Sequence, residues 1–167
     1  MQIPFIARTR RNHALEHATI QILNRYFPTR RLTGWSTPSA FFVHGDLPTA
    51  AVQDAAREAL TRLQGGERHL AIHPHCGTNI VTAGTLVGFI SFLTMLPGSK
   101  HSRRERLPLV LLLSTLVLML AQPLGPLVQE HVTTQTDLAG TQVARVDRLQ
   151  AGQLPVHRIR LDYLATV

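Results

Sequence analysis

From Gly77 to Ser99 the chain reads GTNIVTAGTLVGFISFLTMLPGS, and from Leu107 to Gln129 it reads LPLVLLLSTLVLMLAQPLGPLVQ. Neither run contains Asp, Glu, Lys or Arg, and each exceeds the ~20 residues with which an α-helix crosses a hydrocarbon core. A chain of 167 residues has too little amphipathic sequence left to wrap two helices that are apolar on every side. The expectation is therefore an antiparallel transmembrane hairpin, 77–99 and 107–129, joined by a basic loop at 100–106. Gly77, Ala83, Gly84, Gly88 and Ser91 supply the small residues that let helices approach closely in lipid. Lys100, Arg103, Arg104 and Arg106 in the loop are expected to meet anionic lipid headgroups.

The charge balance is read in that light. The formal charge is +7, yet charged residues make up only 16% of the chain, against roughly 25% in soluble domains. Only Lys100 is a lysine, and the arginines are scattered through the N-terminal third with a few near the C-terminus. No basic stripe for a nucleic acid emerges. The expected partners are membrane lipids and a second copy or another membrane protein, with no nucleic acid. Cys76 is the single cysteine, which excludes an intrachain disulfide. The opening MQIPFIARTRRNH has no apolar stretch of signal-peptide length, so attachment is expected from the internal runs. Two topology arguments conflict. The basic loop favours a cytoplasmic hairpin tip, whereas the arginine-rich N-terminal region argues against its translocation. The expectation adopted is a multi-pass cell-membrane protein with two transmembrane helices and its soluble parts in the cytoplasm.

Around the hairpin the pattern is that of a small α+β unit. Leu15, Ala18, Ile22 and Tyr26 form a 3.6-residue stripe that predicts a helix over 11–27, stopped by Pro28. RLTGWSTPSAFFVHG (31–45) predicts a hairpin. A second helix through AAVQDAAREALTRL is expected to be capped by Asp46 or Thr49 and closed by Gly65-Gly66. RHLAIH alternates like a third strand, and TQVARVDRL with PVHRIRLDY predicts a terminal pair. The expected organisation is an N-terminal α+β region (1–76), the hairpin (77–129) and a C-terminal strand pair (130–167). Whether that pair joins the earlier sheet stays open.

NHALEHAT (12–19) carries the chemistry. His13 and His17 stand four residues apart, and on a helix they fall with Glu16 on the side away from the apolar stripe. Two imidazoles at that spacing can hold one metal ion, with an adjacent carboxylate free to act as general base on bound water. HLAIHPHCGTN then places His69, His73, His75 and Cys76 within eight residues, immediately before the first apolar run. Cys/His mixtures suit zinc and other late transition metals. The candidate ligands are His13, His17, His73, His75 and Cys76, and the candidate base is Glu16. Trp35 is expected to anchor or pack, His44 to end a strand, and His157 to lie on a strand surface.

HALEH resembles the H-x-x-E-H signature of inverzincin metallopeptidases. That resemblance spans five residues and implies ligand roles for His13 and His17 and a base role for Glu16. It also implies a glutamate third ligand, for which Glu58 and Glu67 are the loose candidates. A second resemblance covers most of the chain. NHALEHATI followed by LAIHPHCGTN and two apolar runs is similar to a group of uncharacterised bacterial membrane proteins known as a domain of unknown function. It implies the membrane architecture and brings no activity. Three readings follow: a membrane protein binding zinc or another transition metal at the bilayer surface, a membrane-anchored zinc hydrolase using Glu16, or a metal-free scaffold that docks a partner.

Overall fold

A computed structural model describes residues 4–96, 104–151 and 154–163. The chain forms two compact units, one from Met1–His73 with Glu130–Val167 and the other from Pro74–Gln129. Its class is mixed α+β.

In the first unit, helix α1 (Pro4–Tyr26) begins seven residues earlier than the apolar stripe predicts. Pro4 is pre-set for a first turn, and Phe5 and Ile6 remain exposed, so that turn leaves no amphipathic signal. Strands β1 (Thr33–Ser36) and β2 (Phe41–His44) form the expected hairpin. Its turn closes where the Thr37 N–H and hydroxyl both donate to the Ala40 carbonyl at 2.9 Å. Helix α2 (Thr49–Gln64) starts after Pro48, which occupies the cap position in place of Asp46 or Thr49 and offers no side-chain cap. It ends as expected: Gly66, at φ 94°, takes a left-handed turn that Gly adopts without strain.

The segment RHLAIH departs from expectation. Arg68–Ala71 is a 3-10 turn, bonded from Leu70 N–H to Glu67 O at 3.1 Å. Leu70 and Ala71 are both buried, which a strand covered on one face would not achieve for adjacent residues. The sheet is completed instead from the C-terminal part, by β3 (Thr141–Ala151) and β4 (Leu154–Tyr163). The order is β1-β2-β4-β3, antiparallel throughout, with β4 against β2 in the register Phe41↔Ile159 and Val43↔His157. A bulge between Val143 and Arg145 breaks the long β3–β4 ladder. Helices α1 and α2 cover one face, and Leu15, Ile22, Leu23, Phe41, Val52 and Ile159 are sealed between the layers.

The second unit contains α3 (Gly77–Met95), α4 (Leu107–Ala121) and α5 (Leu124–Val128). Of these, α3 is long and apolar enough by itself to cross a membrane. At 1.5 Å per residue it spans roughly the ~30 Å of a hydrocarbon core. Helix α4 and the helical stretch from Leu124 pass the same test only as a pair, bent by 55° at the Gln122-Pro123 break. α3 and α4 lie side by side, with the Ser91 and Ser114 hydroxyls 3.0 Å apart. Arg106 donates to the Thr94 carbonyl at 3.2 Å, supplying a cation to the C-terminal turn of α3. Asn79 receives the Gln129 amide at 2.6 Å, donates to Pro74 O at 2.8 Å, and lies so close to Gly125 that a side chain there would collide with it.

Candidate metal centre

His13, Glu16 and His17 sit in the middle of α1, the part of the helix that is covered on both sides. His17 and Glu16 are buried and His13 is half-buried. The face opposite the main apolar stripe is therefore an interior face, built from polar groups that each need a partner.

The two histidines are held alike. A ring nitrogen, Nδ1, of His17 lies 2.6 Å from the Ala71 carbonyl, and Nδ1 of His13 lies 3.0 Å from the Thr133 carbonyl. A carbonyl only accepts, so in each neutral imidazole Nδ1 carries the proton and donates it. Nε2 is then the basic nitrogen in both rings. This is how metal-binding histidines are oriented, with one nitrogen donating to a backbone carbonyl and the other left as the ligand. The ring centres are 4.2 Å apart, and one ligand nitrogen of each lies within 4.8 Å of the other. Two imidazole nitrogens on one zinc, with bonds of ~2.1 Å at a tetrahedral angle, stand about 3.4 Å apart.

The carbonyls that receive these protons are fixed in turn. Gln21, one helical step beyond His17 on the same stripe, donates to Leu70 O at 2.8 Å and Ile72 O at 3.0 Å. Arg10, one step before His13, donates to His131 O at 2.9 Å and Thr134 O at 3.0 Å. The stripe Arg10, His13, His17, Gln21 thus fastens the segments 70–72 and 131–134 to α1. His73 follows that first segment, and its ring centre is 5.7 Å from that of His17.

Glu16 points to the sheet. It accepts the Ser36 hydroxyl at 2.5 Å and fills the space over Gly34. Asn12, fully buried next to it, donates to Thr37 O at 2.6 Å and accepts the Tyr163 hydroxyl at 2.7 Å. Burial raises the Tyr163 phenol above its ordinary pKa, and Arg11 and Arg8 partly offset this.

The remaining predicted residues are held as follows. Cys76 is the N-cap of α3, where its sulfur accepts the Thr78 N–H at 3.4 Å, and His75 before it is exposed. Glu58 and Glu67 are both engaged by Arg62, which holds the Glu67 carboxyl below its ordinary pKa. Among the described residues neither carboxylate joins the histidines in a metal-sized group. Arg104 is exposed and Arg106 half-buried, whereas Lys100 and Arg103 lie outside the described residues. Trp35 stacks on Phe42. His44 ends β2 as expected. His157 is a correction: the register against Val43 places it on the core face, fully buried, with Nε2 3.3 Å from the Thr49 hydroxyl. Burial, with Arg148 nearby, lowers its pKa, while Asp46 acts against that shift.

Sequence reasoning did not find Asn12, Gln21, Ser36 or Gly34. Gln21 was within reach of it, because 13, 17 and 21 continue one four-residue spacing. The others depend on which strand passes α1.

The family model for a domain of unknown function, DUF6391, matches residues 8–146, which takes in both histidine motifs and both apolar runs. An uncharacterised protein of Picosynechococcus sp. is 32% identical over 168 residues, covering 92% of this chain and 79% of that relative. No solved structure matches. The chain belongs to the DUF6391 family, a domain of unknown function.

Proposed function

We propose that this is a membrane-anchored protein whose α+β unit binds one transition-metal ion, zinc being the leading choice, through His13 and His17. The observation that carries the reading is the matched donation of both Nδ1–H groups to backbone carbonyls, which makes Nε2 the basic nitrogen in each ring. Cys76, at the end of the HPHC stretch that begins at His73, is proposed as a third ligand. It follows His73 by three residues, and an extended chain spans at most ~3.6 Å per residue, so its sulfur is tethered within reach of the histidine pair. His73 and His75 are the remaining donors of that stretch. A thiolate with two imidazoles suits zinc or another late transition metal. Glu16, engaged by Ser36, is assigned to holding α1 against β1. Its use as a base in a hydrolase is the alternative tested by Glu16→Gln, for which that alternative requires metal retained and activity lost. The ion's role is metal handling or structural support beside the bilayer.

The membrane part of the proposal places α3 and the bent α4–α5 stretch as two spans in the cell membrane, with the soluble unit cytoplasmic. It is supported by the surface of α3, none of whose residues is buried and on which Ile80, Phe89 and Phe92 are exposed. Arg104 and Arg106, with Lys100 and Arg103, are proposed to meet lipid headgroups. Lipid is the expected partner, alongside a second copy or another membrane protein.

Cobalt(II) tests the ligand set. Purified protein titrated with Co²⁺ should develop the visible bands of a tetrahedral site together with a sulfur-to-cobalt charge-transfer band in the near ultraviolet. Cys76→Ser should remove the latter and keep a weakened visible spectrum, and His13→Ala/His17→Ala should abolish both. An octahedral aqua-type spectrum from the wild type would refute the site.

A further inference from the structure

The sheet has two faces, and the core occupies one. Phe41, Val43, His157 and Ile159 are buried towards the helices, so the alternate residues point the other way. On that outer face Trp35 stacks on Phe42, with ring centres 4.8 Å apart and planes within 7° of parallel, and Trp35 stays exposed. Beside them Asp147 gathers three guanidinium groups. Arg158 Nη2 lies 2.9 Å and Arg160 Nη2 3.1 Å from its Oδ2, and Arg145 bonds its other oxygen. Three cations around one anion leave that cluster with two net positive charges. Asp162, further along β4, lowers the whole face to one. Asp147 is nearly covered, whereas the arginines reach outwards and remain 36%, 43% and 68% exposed for Arg158, Arg160 and Arg145. Leu149, opposite Val156, adds an exposed apolar side chain.

Aromatic rings, an aliphatic side chain and outward guanidinium groups on one open surface match the headgroup zone of a bilayer. Trp settles there at the boundary, and Arg binds phosphate with its planar fork. We propose that this outer face docks on anionic phospholipid, with Arg145, Arg158 and Arg160 receiving phosphate oxygens and Trp35 entering the boundary with the acyl chains. The proposal rests on the membrane part of the function proposed above. A tethered unit meets lipid at high effective concentration, so a modest net charge suffices for contact. Single-stranded nucleic acid is the other polyanion such a face could hold. It is disfavoured because Trp35 and Phe42 spend one ring face each on one another, and because Leu149 offers a base nothing to pair with.

Trp35 is the only tryptophan in the chain, so its emission reports on this face alone. Full-length protein is reconstituted into nanodiscs of phosphatidylcholine, or of phosphatidylcholine with phosphatidylglycerol, each carrying acyl-brominated lipid. The expected result is blue-shifted Trp35 emission quenched more than about twofold in the anionic discs, weaker quenching in the neutral ones, and reversal at ~0.5 M salt. Arg158→Gln/Arg160→Gln should reduce the quenching. The more exposed Arg145→Gln should do so in part, should the double variant fail to fold. Water-like, unquenched emission from protein that has entered anionic discs would overturn the docking proposal and leave the membrane reading standing. So would an emission change produced only by added oligothymidylate. Failure to enter discs at all would remove both.

Discussion

At the scale of single residues, metal binding depends on where protons sit. His13 and His17 were legible in HALEH because their spacing alone puts them on one helical face. The Thr133 and Ala71 carbonyls that orient them were not, since a backbone acceptor carries no mark in the sequence. Gln21 is the side chain through which that support can be tested. Gln21→Ala releases its hold on Leu70 O and Ile72 O and should weaken metal affinity on the order of tenfold with the fold retained, as measured by competition with a chromogenic chelator. A second prediction concerns Gly34. A β-carbon there would stand 2.6 Å from Glu16 Oε1 and 2.7 Å from the Phe42 carbonyl. Gly34→Ala should therefore cost about 1–3 kcal/mol in denaturant unfolding. An unchanged midpoint would mean that Glu16 is not held against β1.

At the scale of elements, the helices and hairpin followed from periodicity, and the misreadings share one cause. RHLAIH and PVHRIRLDY both alternate, but a sheet has limited places, and β4 takes the position beside β2. Long-range pairing decided which alternating segment became a strand. It also decided that His157 faces inward, which no local pattern reveals. His157 gives the sheet a pH dependence of definite sign. Its folded-state pKa is lowered, so below the ordinary value of about 6.5 the unfolded chain binds a proton that the native state resists. Stability should be fully present above about pH 7 and fall as the pH drops through 6.5. Denaturation midpoints measured between pH 8 and 5.5 should show this decline, and His157→Leu should reduce it. In the second unit, Asn79 joins the Gln129 amide to the Pro74 carbonyl. Asn79→Ala removes the acceptor of the buried Gln129 amide and should cost about 1–3 kcal/mol, read as a lower melting temperature in detergent.

At the scale of the whole molecule, the sequence interrupts one fold with another. The α+β unit is made of the two ends of the chain, closed by β4 against β2, while 74–129 forms a unit of its own between them. The apolar runs marked that insertion clearly because charge is absent from them. A bend at Pro123 divides the second run, expected as one transmembrane segment over 107–129, into α4 and α5. Metal binding by the histidine pair is read at this scale from the metal content of the purified protein. Protein purified without chelators or nickel resin, then analysed by inductively coupled plasma mass spectrometry, should carry close to one zinc or other transition-metal ion per chain. The His13→Ala/His17→Ala variant, folded by circular dichroism, should carry close to none. Equal and negligible metal in both preparations, unchanged after incubation with zinc and desalting, would contradict the account.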